Sequence, residues 1–318
     1  MREPALSTMW AQRRFARLDD FFAAGRAMGF TRFELSHVLT PAMLEEAAPV
    51  EQAISSVHDP CPRPPGGNPA LLSSLDEEAR GRAVAVANAT METACRVGAE
   101  AVILHMGRVT MDRGLEEQLR DLYRQGLAGT PQYGAAQERL IAARAERAAP
   151  HLAAAVRSLE ELAPCARQRG IAVGLENRVY YLEIPTPEEM AILLERFDGP
   201  PIFYWHDTGH AQVLANLGFT PHEEWLRSFA SRMVGIHFHD VRGIEDHLVA
   251  GMGGLDFSAI APYVPEEAIR TCEFDWPFTA EEIVAGVEHL RETGCLRRPT
   301  AILAVDDHPP PRTHARGG

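Results

Sequence analysis

Eight short apolar runs, each followed by a longer stretch with helical spacing, constrain the fold of this chain more than any other feature. The runs are "ALSTMW", "RFELS", "AISSVH", "AVILH", "IAVGLE", "IFYWH", "MVGIHFH" and "IRTCEF". Between them lie amphipathic segments such as "RLDDFFAAGRAMG", "EEARGRAVAVANATMETACRVG" and "TAEEIVAGVEHLRETG". Gly29, Gly98 and Gly170 stand just ahead of a strand, where a helix C-cap is expected. Eight strands alternating with helices over 318 residues predict a single-domain (β/α)8 TIM barrel. An open, doubly wound sheet is the competing architecture, weakened because no G-x-G-x-x-G follows the first strand. The barrel is expected over residues 1–305, and "DDHPPPRTHARGG" over 306–318 reads as a flexible tail. Two segments exceed ordinary βα loops: "MGRVTMDRGLEEQLRDLYRQGLAGTPQYGAA" after the fourth strand and "DVRGIEDHLVAGMGGLDF" after the seventh. Loops at the C-terminal mouth of a barrel shape its active site.

Charge and composition remove several function classes. The net charge of −13 argues against broad nucleic-acid binding, since phosphate backbones demand a surplus of basic side chains. All 31 basic residues are arginine, so neither Schiff-base lysine chemistry nor a Walker-A lysine is available. The five cysteines, Cys61, Cys95, Cys165, Cys272 and Cys295, form no C-x-x-C and suit a reducing cytoplasm. "MREPALSTMW" lacks the apolar core of a signal peptide, and no run of 18 apolar residues occurs. A soluble cytoplasmic protein without a membrane partner is the expectation.

Six of the eight strands end in a side chain able to ligate a metal: His58, His105, Glu176, Asp207, His237 and Glu273. In a parallel barrel all C-terminal strand ends open on one mouth, so these scattered positions become neighbours. A single histidine after an apolar run, such as His58 or His105, is more often a hydrogen-bonded rim residue than a ligand. Glu176 and Glu273 are harder to explain away, because a carboxylate ending a buried strand needs a cation or several donors. Together with Asp207 and His237 they make an oxygen-rich set with one imidazole, suited to Mn, Mg, Co or Zn. His210 follows Asp207 across a Thr-Gly turn and can hold a second metal or a substrate oxygen. Strand alternation turns His206 away from the mouth and puts His239 on the same face as His237. Arg178 and Arg242 follow two of these strands closely and can bind a substrate anion, although a loop arginine is more often a solvated charge. "GMGG" at 251–254 either presents amide groups to a phosphate or merely turns sharply. Tyr180, Tyr181, Phe238 and Trp276 either wall a sugar pocket or belong to the core; Trp205 reads as core.

The segments "SVHDP", "LHMG", "LENR", "HDTGHA", "GIHFHDV", "EDHLVAGMGG" and "CEFDW" resemble the xylose isomerase-like TIM barrels, over nearly the whole chain. That superfamily includes sugar isomerases and epimerases and the endonuclease IV type of apurinic endonuclease. The epimerase branch implies one divalent metal held by Glu176, Asp207, His237 and Glu273. It implies that Glu176 and Glu273 move the proton of a metal-stabilised enediolate, with His210 on the substrate. The endonuclease branch implies up to three zinc ions, adding His58, His105, His210, Glu245 and His247 as ligands. Glu245 departs from the aspartate of that family, and the loop from His237 to His247 is shorter. The resemblance therefore implies a metal-dependent isomerase or epimerase of a small carbohydrate or phosphorylated substrate. Glu176, Glu273 and His210 are then catalytic, and His210, Arg178, Arg242 and His239 contact substrate. A multinuclear zinc phosphoesterase, or a dehydratase or lyase of related polyols, is the alternative. A homo-oligomer is compatible with the resemblance.

Overall fold

The computed structural model describes residues 1–46, 53–65, 67 and 71–298. The expected tail at 306–318, with residues 299–305 before it, lies outside the described residues. Among the described residues ten strands are present: β1 (Ala5–Ser7), β2 (Arg32–Leu35), β3 (Ile54–His58), β4 (Ala101–Leu104), β5 (Ala172–Glu176), β6 (Ile202–Asp207), β7 (Met233–Phe238), β8 (Asp240–Arg242), β9 (Glu245–Leu248) and β10 (Ile269–Cys272). Eight of them close into a parallel barrel in the order β1-β10-β7-β6-β5-β4-β3-β2, and β8-β9 form a separate two-stranded antiparallel ribbon. The eight apolar runs are thus the eight barrel strands of a single (β/α)8 domain.

The main helices are α1 (Leu18–Ala27), α2 (Pro41–Glu46), α3 (Glu77–Val97), α4 (Gly114–Arg124), α5 (Pro131–Arg169), α6 (Pro187–Arg196), α7 (Thr208–Asn216), α8 (His222–Phe229), α9 (Phe257–Ile260) and α10 (Ala280–Glu292). Their ends carry the chemistry that stops and starts helices. The Asp76 carboxylate accepts from the amides of Glu78 and Ala79 at the start of α3, and Gly98 ends it in the left-handed conformation. Thr186 and Glu189 at α6, and Thr279 and Glu282 at α10, form reciprocal capping boxes. The long segment after β4 is not an open loop. Its helix α4 lays Leu119 and Leu122 against Tyr133, Ala136 and Leu140 of α5, a small satellite core. The long segment after β7 folds into the β8-β9 ribbon.

Alternation along β6 divides its side chains between two layers. Tyr204 faces the helices and stacks on Trp225 of α8, with ring centroids 6.1 Å apart. Trp205 points into the barrel, fully buried beside Ala101, Ile103 and Ile269. Its ring needs the space left by two glycines. A Cβ on Gly174 of β5 would come within 2.9 Å of the indole, and one on Gly235 of β7 would collide with it. The indole lies edge-on to His237 at 5.1 Å and forms part of the floor of the barrel mouth.

Candidate metal centre

The mouth gathers three groups of potential metal donors whose atoms lie within 4.8 Å of one another: Glu176, Asp207, His237 and Glu273; His58, His105 and Glu176; and His210, His239 and His247. Glu176 belongs to the first two. In the first group the Nδ1 of His237 lies 2.7 Å from Glu176 and 3.1 Å from Glu273, with Asp207 at 3.5 Å. All four side chains are buried. Burial pushes the Glu176 carboxyl up, but His105, His237 and His58 together hold it well below the ordinary range. Asp207 is held low in the same way, by His210, His239 and His237 against burial. For Glu273 burial prevails over His237 and His247, and its pKa is raised.

The imidazoles are oriented by bonds on their far sides. The Nδ1 of His58 lies 2.9 Å from the Asp59 carbonyl, and that of His210 lies 3.1 Å from the Asn177 carbonyl. A carbonyl only accepts, so each Nδ1 carries a proton. The Nε2 of His58 lies 3.9 Å from Glu176, which raises the His58 pKa against burial, and the Nε2 of His210 lies 3.9 Å from Asp246. For His237 the arrangement is reversed, with Nε2 3.2 Å from Glu34 and Nδ1 facing the carboxylates. Such outer bonds are how metal-ligating histidines are held in tautomer and angle. Burial pushes His210 down to about 4, keeping the ring neutral. His239 differs from these. Its Nδ1 accepts the amide of His247 at 2.8 Å and its Nε2 lies 2.8 Å from Asp207, so both ring nitrogens are engaged. It orients Asp207 rather than offering a free donor.

Glu245 is exposed and belongs to none of the three groups. Its neighbour Asp246 faces them instead, 3.9 Å from the Nε2 of His210. The cause is local: His247 has φ of 55°, which breaks the alternation of β9 and turns Asp246 inward beside it. Arg242 is exposed and donates to the Met252 carbonyl at 2.6 Å, directed at the 249–254 loop. Arg178 is buried in the mouth, bonded to Glu176 and 2.6 Å from the Nε2 of His105. His206 is buried against His222, at 3.0 Å, on the helix side of β6.

The "GMGG" amides are already occupied. Asp240, at the base of the ribbon, accepts from Gly251 and Gly253 at 2.9 Å and from Leu255 at 3.0 Å. This carboxylate stands where an external anion would have to sit, so the loop turns around an internal anchor. Of the aromatics, Phe238 is core, Tyr181 stacks on Phe219 at 4.0 Å, and Tyr180 lies over Arg120. Trp276 is exposed at the rim with Arg13 above its ring.

Three residues of the mouth escape a reading based on strand ends. Glu34 is fully buried in the middle of β2, its Oε2 2.7 Å from Ser56 and its Oε1 without a partner. A charge between Phe33 and Leu35 in an apolar run was the available signal. Asn177 brackets Asp207, accepting its amide at 2.8 Å and donating to its carbonyl at 2.9 Å. Asp246 had no signal beyond its place next to His247.

Solved structures share this architecture. A D-tagatose 3-epimerase-like protein superposes with a TM-score of 0.66 at 18% identity, covering 92% of this chain and 97% of its own. A Thermus thermophilus protein soaked with zinc chloride gives 0.60 at 23% identity, covering 94% and 100%. The IolI protein with a bound zinc atom gives 0.63 at 13%, covering 92% and 98%. At such identities these likenesses establish the fold alone. No curated protein matches the sequence. The family model for xylose isomerase-like TIM barrels matches residues 22–293, which span the barrel from α1 through α10 and every donor in the mouth. The chain therefore belongs to the xylose isomerase-like TIM barrel family.

Proposed function

We propose that this protein is a divalent-metal-dependent isomerase or epimerase of a small carbohydrate, free or phosphorylated. The observation that carries this reading is the pair of buried glutamates, Glu176 and Glu273, on either side of His237 Nδ1, at 2.7 and 3.1 Å. The donor set fits a cation. Four carboxylates, Glu34, Glu176, Asp207 and Glu273, are buried together, and the one fixed positive group bonded to them is Arg178 among the described residues. In the structure the excess is offset by protons, since His237 and His58 are both raised by these carboxylates against burial, and a bound cation would replace those protons. Glu176, Asp207, His237 and Glu273 would hold it, and a bound divalent ion supplies Lewis-acid polarisation of adjacent substrate oxygens.

The residues of the chain divide the remaining work. One of Glu176 and Glu273 removes the proton from the carbon beside the carbonyl and the other returns it. His210, neutral and with Nε2 directed into the mouth, contacts a substrate oxygen. Arg178 steadies Glu176 and touches His105, whose Nε2 lies 2.6 Å from the same Glu176 oxygen. The positive charge of Arg178 on Glu176, next to His105, favours one metal in the tetrad over a second beside His58.

A second reading, multinuclear zinc phosphoester hydrolysis, is favoured by the two further donor groups, His58, His105 and Glu176 and His210, His239 and His247. Metal analysis of the purified protein separates the two. One ion per chain, lost in His237→Ala and Glu176→Ala, together with interconversion of ketoses on a sugar panel, supports the isomerase. Two or three zinc ions with phosphodiesterase activity support the hydrolase. Absence of stoichiometric metal sinks both.

A further inference from the structure

Beside the donor groups the barrel mouth continues into a cleft of about 430 Å³, reached past His105 and lined by His37, Asp59, Arg63, Arg108 and Glu183. Two of its cations are uncommitted among the described residues. Neither Arg63 nor Arg108 has a side-chain hydrogen bond or ion pair with any described residue, although 13 excess negative charges are available over the chain. The acids of the cleft are already engaged. Glu183 faces the Arg178 guanidinium at 3.6 Å and accepts the Tyr180 amide at 3.2 Å. Asp59 accepts from Thr90 at 2.7 Å.

The backbones that carry the two arginines are fixed. The Arg108 amide donates to Ser73 Oγ at 2.9 Å, and the same hydroxyl lies 3.0 Å from the Arg108 carbonyl. Gly107 has φ of 108°, and a side chain there would meet Ser73. The Arg63 amide donates to the Leu39 carbonyl at 2.7 Å. Two guanidinium groups, that of exposed Arg63 and that of half-buried Arg108, have no carboxylate partner among the described residues and line a cleft that opens on a metal-type donor cluster, which makes an anion subsite.

We propose that Arg63 and Arg108 bind the phosphate of a phosphorylated sugar whose hydroxy-carbonyl end lies at Glu176 and Glu273. The substrate class, as distinct from the anion subsite, rests on the isomerase reading. A cleft of this volume matches a ligand of sugar-phosphate size, and paired arginines suit a phosphate dianion through several charge-assisted bonds.

The test is calorimetric titration of the metal-loaded protein with inorganic phosphate, D-fructose 6-phosphate, D-fructose and D-glucuronate. D-Fructose 6-phosphate is expected to bind at least about tenfold more tightly than D-fructose. In Arg63→Gln/Arg108→Gln that preference disappears, while D-fructose binds within about twofold of the wild type. Equal binding of the two sugars, or an undiminished preference in the double variant, overturns the proposal. Tighter binding of D-glucuronate than of D-fructose 6-phosphate overturns the phosphate assignment. Because binding is read rather than turnover, loss of the isomerase reading shows separately. Inorganic phosphate would still bind the wild type and not the double variant, with no ketose interconverted.

Discussion

The Nε2 of His237 lies 3.2 Å from the Oε2 of Glu34, a carboxylate buried one layer below the donor tetrad. The Ser56 hydroxyl, 2.7 Å from the same oxygen, fixes that carboxylate in turn. Nδ1 lies 2.7 Å from Glu176, so carboxylates face both ring nitrogens and hold the His237 pKa well above its ordinary value against burial. A cation in the tetrad would take the place of the Nδ1 proton, with the Glu34 bond keeping the other on Nε2. Glu34→Ala is expected to weaken divalent-metal binding by about 10–100-fold without unfolding the barrel. Glu34→Gln keeps an accepting oxygen and should recover most of it. Metal titration of the two variants checks this, and wild-type affinity in Glu34→Ala would remove Glu34 from the site.

Trp205 and Gly235 are matched in size across adjacent strands. Gly235→Ala drives a methyl group into the indole in a fully buried layer. The expected cost is about 1–3 kcal/mol, the usual range for overpacking a core. Trp205→Leu alone leaves a cavity and also destabilises, but combined with Gly235→Ala the two losses should be less than additive. Urea unfolding of the two single variants and the double variant measures the coupling.

Asp240 holds the 249–255 loop through the amides of Gly251, Gly253 and Leu255. Asp240→Ala is expected to raise hydrogen exchange at these three amides selectively, leaving the barrel strands protected. A Cβ at Gly253 would strike this same carboxylate and the Val241 carbonyl. Gly253→Ala should therefore give the same local exchange pattern. Unchanged protection in both variants would show that the carboxylate is not what organises the loop.

Behind the mouth a chain of hydrogen bonds runs from the Tyr204 hydroxyl to His206 Nδ1, from His206 Nε2 to His222 Nε2, and from His222 Nδ1 to Gln212 Oε1. It continues from Gln212 to Asn216 and on to the Gly243 carbonyl. With Gln212 accepting from His222 Nδ1, both imidazoles are neutral when Tyr204 gives its single proton to His206 Nδ1 rather than to Asn177 Oδ1, 3.0 Å away. Burial, with His222 alongside, holds His206 well below its ordinary value, and burial takes His222 down to about 4. An unfolded chain protonates these rings near 6.5, so the folded state binds fewer protons below that pH. Their contribution is intact above pH 6.5 and is lost progressively as pH falls toward 4. The slope is up to about 1.4 kcal/mol per pH unit for each ring. His222→Gln should flatten denaturation midpoints measured between those limits. An unchanged slope would mean that other groups carry the acid sensitivity.

The eight strands, their order of appearance and the barrel were legible in the sequence, because apolar periodicity and helix caps are local signals. The tetrad was nominated for the same reason: each member ends a strand, and a parallel barrel brings strand ends together whatever loops intervene. The Trp205 side chain could be assigned to the core from its place in an apolar run, but its partnership with Gly174 and Gly235 could not. Those glycines lie on other strands and meet the indole only through barrel register.

Only the tertiary structure decided which polar residues face one another. Asp246 rather than Glu245 turns toward His210, because a single left-handed residue at His247 shifts the ribbon's alternation. Asp240 occupies the glycine-rich loop, because a carboxylate distant from Leu255 in the chain sits at hydrogen-bond distance once the ribbon folds. Arg178 reaches Glu176 and His105, Arg242 turns to the Met252 carbonyl, and Arg63 and Arg108 line one cleft with no partner among the described residues. Residue type and spacing establish that a cation is present near the mouth. Whether it is spent on a neighbouring acid depends on distances of a few ångströms between segments far apart in sequence, and those are fixed by the closure of the barrel.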